Sequence, residues 1–161
     1  MKHSPGWSSH LPVLSRVFRV TKGPILELGM GLYSTPFLHW MCAEANKRPL
    51  ISYEKEEYWI KTNHWFATKD HQIHHVKDWD KIDIEKPWEM VFIDHEPKRR
   101  RIELARLANH AKYIILHDTQ PNQEIHYHYQ EVYPLFKHIR HFGFSRAWTG
   151  VLSNFEDVNK L

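Results

Sequence analysis

Short apolar runs alternate with amphipathic stretches along most of the chain. Segments 25–28, 49–53, 71–76, 88–93 and 113–116 have the length and composition of strands, and 88–93 is the most strongly apolar. Helical patterns lie between them. Ser8 and Ser9 are placed to cap a first helix reaching about Val20, with Gly23-Pro24 ending the connection into the first strand. Ser34, Thr35 and Pro36 open a second helix whose Phe37, Leu38, Met41 and Ala45 share one face. Segment 55–68 reads as a third, and Pro97 opens another through about Asn109.

Beyond Asp118 the pattern changes. Segment 122–135 reads as an aromatic helix, and 136–142 and 148–155 as two closing strands, with Gly143 favouring a hairpin between them. Strand–helix alternation ending in such a pair predicts an α/β fold. Its sheet would be mainly parallel, covered by helices on both faces, with an antiparallel C-terminal hairpin. A length of 161 residues suits one domain, 1–161, divided into an N-terminal helix (1–22), a core (23–120) and a C-terminal helix with hairpin (121–161).

Composition narrows the class of protein. With 42% hydrophobic and 25% charged residues the chain can bury a core and is not of a disordered type. The lone Cys42 excludes an intramolecular disulfide and a cysteine-rich zinc site, which points to a reducing compartment. Residues 1–10 hold no apolar core of signal-peptide length and no run approaches a membrane span, so a cytoplasmic location without membrane partners is expected. A net charge of +3 is too small to announce nucleic acid. The exception is Lys98-Arg99-Arg100-Arg101, which reads as a solvated helix face or as a contact for an anionic substrate or RNA. Among the 14 histidines, His71, His74 and His75, or His126 and His128, are metal candidates without convincing ligand spacing. His126 and His128 would point to different sides of a helix.

The densest chemistry lies at 25–35, Ile-Leu-Glu-Leu-Gly-Met-Gly-Leu-Tyr-Ser-Thr, where an apolar strand meets an acid, two glycines and a helix start. Gly29 and Gly31 permit a sharp turn and close approach of a ligand, and the helix presents free N–H groups. Ser34 stands where a dinucleotide fingerprint has its third glycine, and Glu27 precedes the turn. A carboxylate there favours a cofactor bearing an ammonium group over a bare pyrophosphate. A plain strand–turn–helix junction is the alternative.

This stretch resembles motif I of the class I S-adenosylmethionine-dependent methyltransferases, E-x-G-x-G-x-x-S, and the element order extends the resemblance over nearly the whole chain. It implies S-adenosylmethionine as cofactor, held by Glu27, Gly29, Gly31, Ser34 and Thr35. Glu54, ending the second strand, matches the acid that accepts from the ribose hydroxyls, a task suited to a carboxylate. Asp78 and Trp79 match the adenine side, one taking the exocyclic amine and the other stacking. A surface acid and a packing aromatic are the alternatives.

Asp94-His95 ends the fourth strand and Asp118 the fifth, a pattern similar to that of catechol-type O-methyltransferases. That resemblance implies catalysis by Asp94, His95 and Asp118, with Asp94 and Asp118 holding Mg²⁺ or another divalent cation that acidifies the acceptor hydroxyl. Two departures weaken it. Thr119 stands where those enzymes have an Asn ligand, and Pro97 where they have a catalytic lysine, with Lys98 one residue later. A metal-free enzyme using His95 or Asp94 as base, or purely structural roles for Asp94 and Asp118, are therefore alternatives. The expected acceptor is a small-molecule or sugar hydroxyl, beside an aromatic segment at 124–129. The absence of a long N-terminal extension leaves the site open or completed by a second subunit, as in a homodimer. A nucleic-acid methyltransferase is the second reading, although Asp94-His95-Glu96-Pro97 lacks the double proline and aromatic of base-methylating members. A cofactor-binding interaction protein without transfer activity is the third.

Overall fold

Strands rich in leucine, isoleucine and valine form the centre of the structure, a computed structural model that describes residues 6–45 and 47–161. They are β1 (Ile25–Leu28), β2 (Leu50–Glu54), β3 (His71–His75), β4 (Trp88–Ile93), β5 (Ala111–His117), β6 (His138–Phe142) and β7 (Thr149–Ser153). One sheet holds all seven, in the order β3-β2-β1-β4-β5-β7-β6. Neighbours from β3 to β5 pair in parallel, whereas β7 runs antiparallel to both β5 and β6. The strand order reverses between β1 and β4, which opens a crevice beyond their carboxyl ends.

Because strand side chains alternate, each strand feeds two cores. Ile25, Met90, Phe92, Ile115 and Val151 face helices α1 (Leu11–Val20) and α2 (Ser34–Glu44), against Val13, Leu14, Val17, Leu38 and Cys42. Leu26, Leu28, Val91, Ile93, Ile114 and Leu116 face α4 (Pro97–Leu107), against Leu104 and Leu107. Two short helices, α3 (Glu57–Asn63) and α5 (Glu124–Tyr127), lie in the connections after β2 and β5. Among the described residues no helix is long and apolar enough to cross a membrane.

The structure departs from the pattern-based expectation in three places. Ser8 and Ser9 do not cap α1: residues 6–10 form turns, the helix starts at Leu11, and Ser9 Oγ donates to Gly6 O at 2.9 Å. The third helix ends early, giving way at His64 to a single 3-10 turn. Segment 122–135 is no continuous helix. His128 adopts a left-handed conformation with φ 53°, and Pro134 opens a separate 3-10 turn over Tyr133–Leu135. Its aromatic rings pack on one another instead: Tyr127 and Tyr129 stack at 5.0 Å, and Tyr129 and Tyr133 at 6.1 Å.

Candidate active site

The turn after β1 is held from beneath by two buried acids. Gly29 has φ 94°, and a side chain there would begin 2.5 Å from the backbone nitrogen of His95, so the turn lies directly on the end of β4. Glu54 Oε2 accepts from the Met30 N–H (2.8 Å), while Oε1 accepts from the N–H groups of Lys55 and Glu56, both at 2.7 Å. Thr35 Oγ1 accepts from the Gly31 N–H and donates to Glu27 Oε1, each at 3.0 Å. Glu27 and Ser52 are paired in register on adjacent strands, and Ser52 Oγ donates to Glu27 Oε2 at 2.6 Å.

Glu27 is therefore fully buried behind the turn, not on the cavity wall that a contact with a cofactor ammonium requires. Burial raises its pKa to about 7, against the opposing hydrogen bonds of Ser52, Ser34 and Thr35. Burial raises the Glu54 pKa as well, against the three backbone N–H groups.

Above the turn lies a cavity of about 680 Å³. Residues 30–34 of the turn form one side, including Gly31 and Ser34. Asp94, Arg100, His117 and Asp118 come from the ends of β4, α4 and β5, while Trp7, His10, Trp59, Gln120 and Arg146 are among the other wall residues. The structure thus brings Asp94 and Asp118 together, as the sequence pattern implied. It does not bring His95, which is buried, pairs with Glu103 Oε2 through Nε2 at 3.0 Å, and packs its ring 4.3 Å from Trp79. Trp79 is likewise buried, its indole N–H donating to Glu96 Oε2, so no face is open to an adenine ring. Asp78 caps the following 3-10 turn, accepting from the Asp80 N–H at 3.1 Å.

The centre of this floor is Arg100, which the sequence presents only as one of the cationic run 98–101. Arg100 is buried and reaches both carboxylates, with Asp94 Oδ1 at 2.7 Å and Asp118 Oδ2 at 3.1 Å. It also donates to His95 O at 2.6 Å and lies 4.8 Å from the centre of the Tyr127 ring. A magnesium ion shared by Asp94 and Asp118 does not fit this arrangement, because an internal cation already bridges them. The cationic run is accordingly not a free basic face: Arg99 pairs with Asp80 and Glu103, and Arg101 with Glu131. Positions 100, 103, 104 and 107 share the inward face of α4, and that spacing was the available signal.

The sequence pattern does not single out His117 or His10 either. Period-2 alternation turns His117 to the side of β5 covered by α1, where its Nδ1 meets Asp94 Oδ1 at 3.2 Å and its Nε2 meets Ser9 Oγ at 3.0 Å. Both ring nitrogens of His117 are thus engaged, Nδ1 by a carboxylate and Nε2 by the Ser9 hydroxyl. Burial alone would lower the His117 pKa, but the neighbouring Asp94 charge raises it. Burial works against the charge of Asp94 as well, yet His117 and Arg100 hold that carboxyl well below the usual range. His10 stands 5.0 Å from His117, ring edge to ring face, and burial pushes its pKa down to about 4. Asp118 takes a left-handed backbone with φ 60° and accepts from the Tyr127 hydroxyl at 2.9 Å.

Sheet order, the glycine turn after the first strand and the cavity at the switch point together define the class I methyltransferase fold. Solved structures that share it include an O-methyltransferase from Bacillus cereus in complex with SAH (S-adenosylhomocysteine), with 15% identity and a TM-score of 0.66 over 94% of this chain and 83% of that one. Cofactor-bound Rv0187 from MTB gives 11% identity and a TM-score of 0.70, covering 97% and 83%. The N-terminal domain of human METTL16 in complex with SAH gives 11% and 0.63, covering 97% and 73%. No protein-family model matches the chain, and no curated protein sequence does.

Proposed function

We propose that this chain is a methyltransferase that binds S-adenosylmethionine and transfers its methyl group to an oxygen of a small-molecule or sugar acceptor. The observation that carries the reading is the glycine turn braced by Glu54 and Thr35, opening directly onto a cavity that also holds Asp94 and Asp118. In the transfer the acceptor oxygen bonds to the methyl carbon as the carbon–sulfur bond breaks, and the demethylated cofactor leaves. Alignment supplies most of the acceleration. Asp94 is a poor proton acceptor, because His117 and Arg100 stabilise its charge. Asp118 borders the same cavity, its Oδ2 held by Arg100 and by the Tyr127 hydroxyl. No divalent cation enters this scheme.

Calorimetry with S-adenosylmethionine or SAH tests the proposal, with a Kd in the micromolar range expected, roughly −8 kcal/mol. Glu54→Ala should abolish binding, since it frees the Met30 N–H and loosens the turn. Gly31→Val separates binding from folding. A side chain at Gly31 meets only Ser34 Oγ at 3.7 Å, so this variant should keep its fold while weakening SAH at least about tenfold by filling the cavity's edge. Absence of a heat signal with both ligands overturns the assignment.

A further inference from the structure

His10 is a buried imidazole for which the protein provides no partner. It is 2% exposed, borders the cavity, and neither Nδ1 nor Nε2 makes a hydrogen bond. Leaving polar atoms buried and unpaired is costly, and such atoms in a native site point to a ligand group that completes them. The ring packs 4.8 Å from Phe92 and 5.0 Å from His117, which fixes it beside the Asp94–His117 pair. One ligand atom from each of His10, Asp94 and His117 lies within 4.8 Å of the others, the only such trio among the described residues.

We propose that His10, Asp94 and His117 form a binding site for a divalent transition metal ion that favours imidazole, zinc being the type case. Two nitrogens and one carboxylate oxygen select against magnesium and calcium, which take oxygen ligands, and suit zinc, cobalt or nickel. Asp94 Oδ1 and His117 Nδ1, at 3.2 Å, already have about the spacing of two neighbouring ligands around one ion. The ion would take the Nδ1 side of the His117 ring, while the contact of Nε2 with Ser9 Oγ fixes the ring's orientation.

Arg100 does not block this site as it blocks the Asp94–Asp118 pair. A carboxylate has about four lone-pair positions, so Asp94 can keep the guanidinium as an outer partner while it ligates. Charge favours the ion as well: Asp94 and Asp118 together face the single positive charge of Arg100. All three residues line the cavity. The site stands independently of the methyl-transfer reading.

Titrating Co²⁺ into the whole chain, followed by calorimetry and by the visible d–d absorption of the ion, tests the site. One ion per chain should bind, with a spectrum showing nitrogen ligation, and Zn²⁺ should displace it whereas Mg²⁺ should not. His10→Gln removes a ligand whose ring makes no hydrogen bond, so the fold should survive, as circular dichroism will check, and affinity should fall at least about tenfold. The proposal fails if Co²⁺ does not bind, or if His10→Gln binds it as tightly as the native chain, which would place the ion on another histidine group. X-ray absorption of the Zn²⁺ form supplies the second test, with fewer than two imidazoles counting against the site. SAH titrated into the native protein in parallel keeps the two readings apart, since either ligand can bind without the other.

Discussion

Glu27 lies on a strand whose side chains are all out of water, and its oxygens meet hydroxyl groups and no cation. Its pKa rises from 4.5 to about 7 on folding, so the native state holds the proton more tightly than the unfolded chain. This stabilisation is complete below about pH 4.5 and is lost as pH rises to about 7, a change of roughly 3 kcal/mol. Glu27→Gln keeps the shape and removes the titration. Urea unfolding at several pH values should therefore show the variant gaining roughly that amount on the native protein between about pH 5 and about pH 8. The acid itself was legible in the sequence, and its concealment was not. Nothing local to Glu27 reveals that Ser52 and Thr35 will enclose it, just as nothing beside His95 or Trp79 reveals Glu103 or Glu96.

Helix α4 joins the ends of β4 and β5 through one side chain. Arg100 reaches the carboxylates of Asp94 and Asp118 and the carbonyls of His95 and His117. Replacing it by methionine keeps much of the volume but leaves the two carboxylates without the guanidinium that bridges them. Unfolding by urea should show a loss of about 3–5 kcal/mol, easing when Asp94→Asn is added. Element identity was largely legible because strong periodicity survives tertiary context: β1, β4 and the Pro97 start of α4 fall where the pattern put them. Segment 122–135 was not, since His128 takes a left-handed backbone and Pro134 lies in a separate 3-10 turn, breaks that nothing in the local pattern announces.

For the molecule as a whole, alternation of apolar runs with helices was enough to anticipate a parallel sheet with a closing antiparallel pair, because helices between successive strands return the chain to run each strand the same way. The insertion of β7 between β5 and β6 follows from tertiary pairing and was not read beforehand. The floor of the cavity was half legible: its carboxylates are signalled by their strand ends, whereas Arg100, His10 and His117 come from three separate elements brought together by folding. Those elements also distribute the chain's seven tryptophans unevenly. Trp7 and Trp59 stand on the cavity walls, Trp79 and Trp88 are sealed in the core, Trp148 is half-buried, and Trp40 and Trp65 face solvent. The pocket thus contains its own optical reporters. Filling it with SAH should change the intrinsic emission, Trp59→Phe and Trp7→Phe should each remove part of that change, and Trp65→Phe should lower the total signal while leaving the change intact.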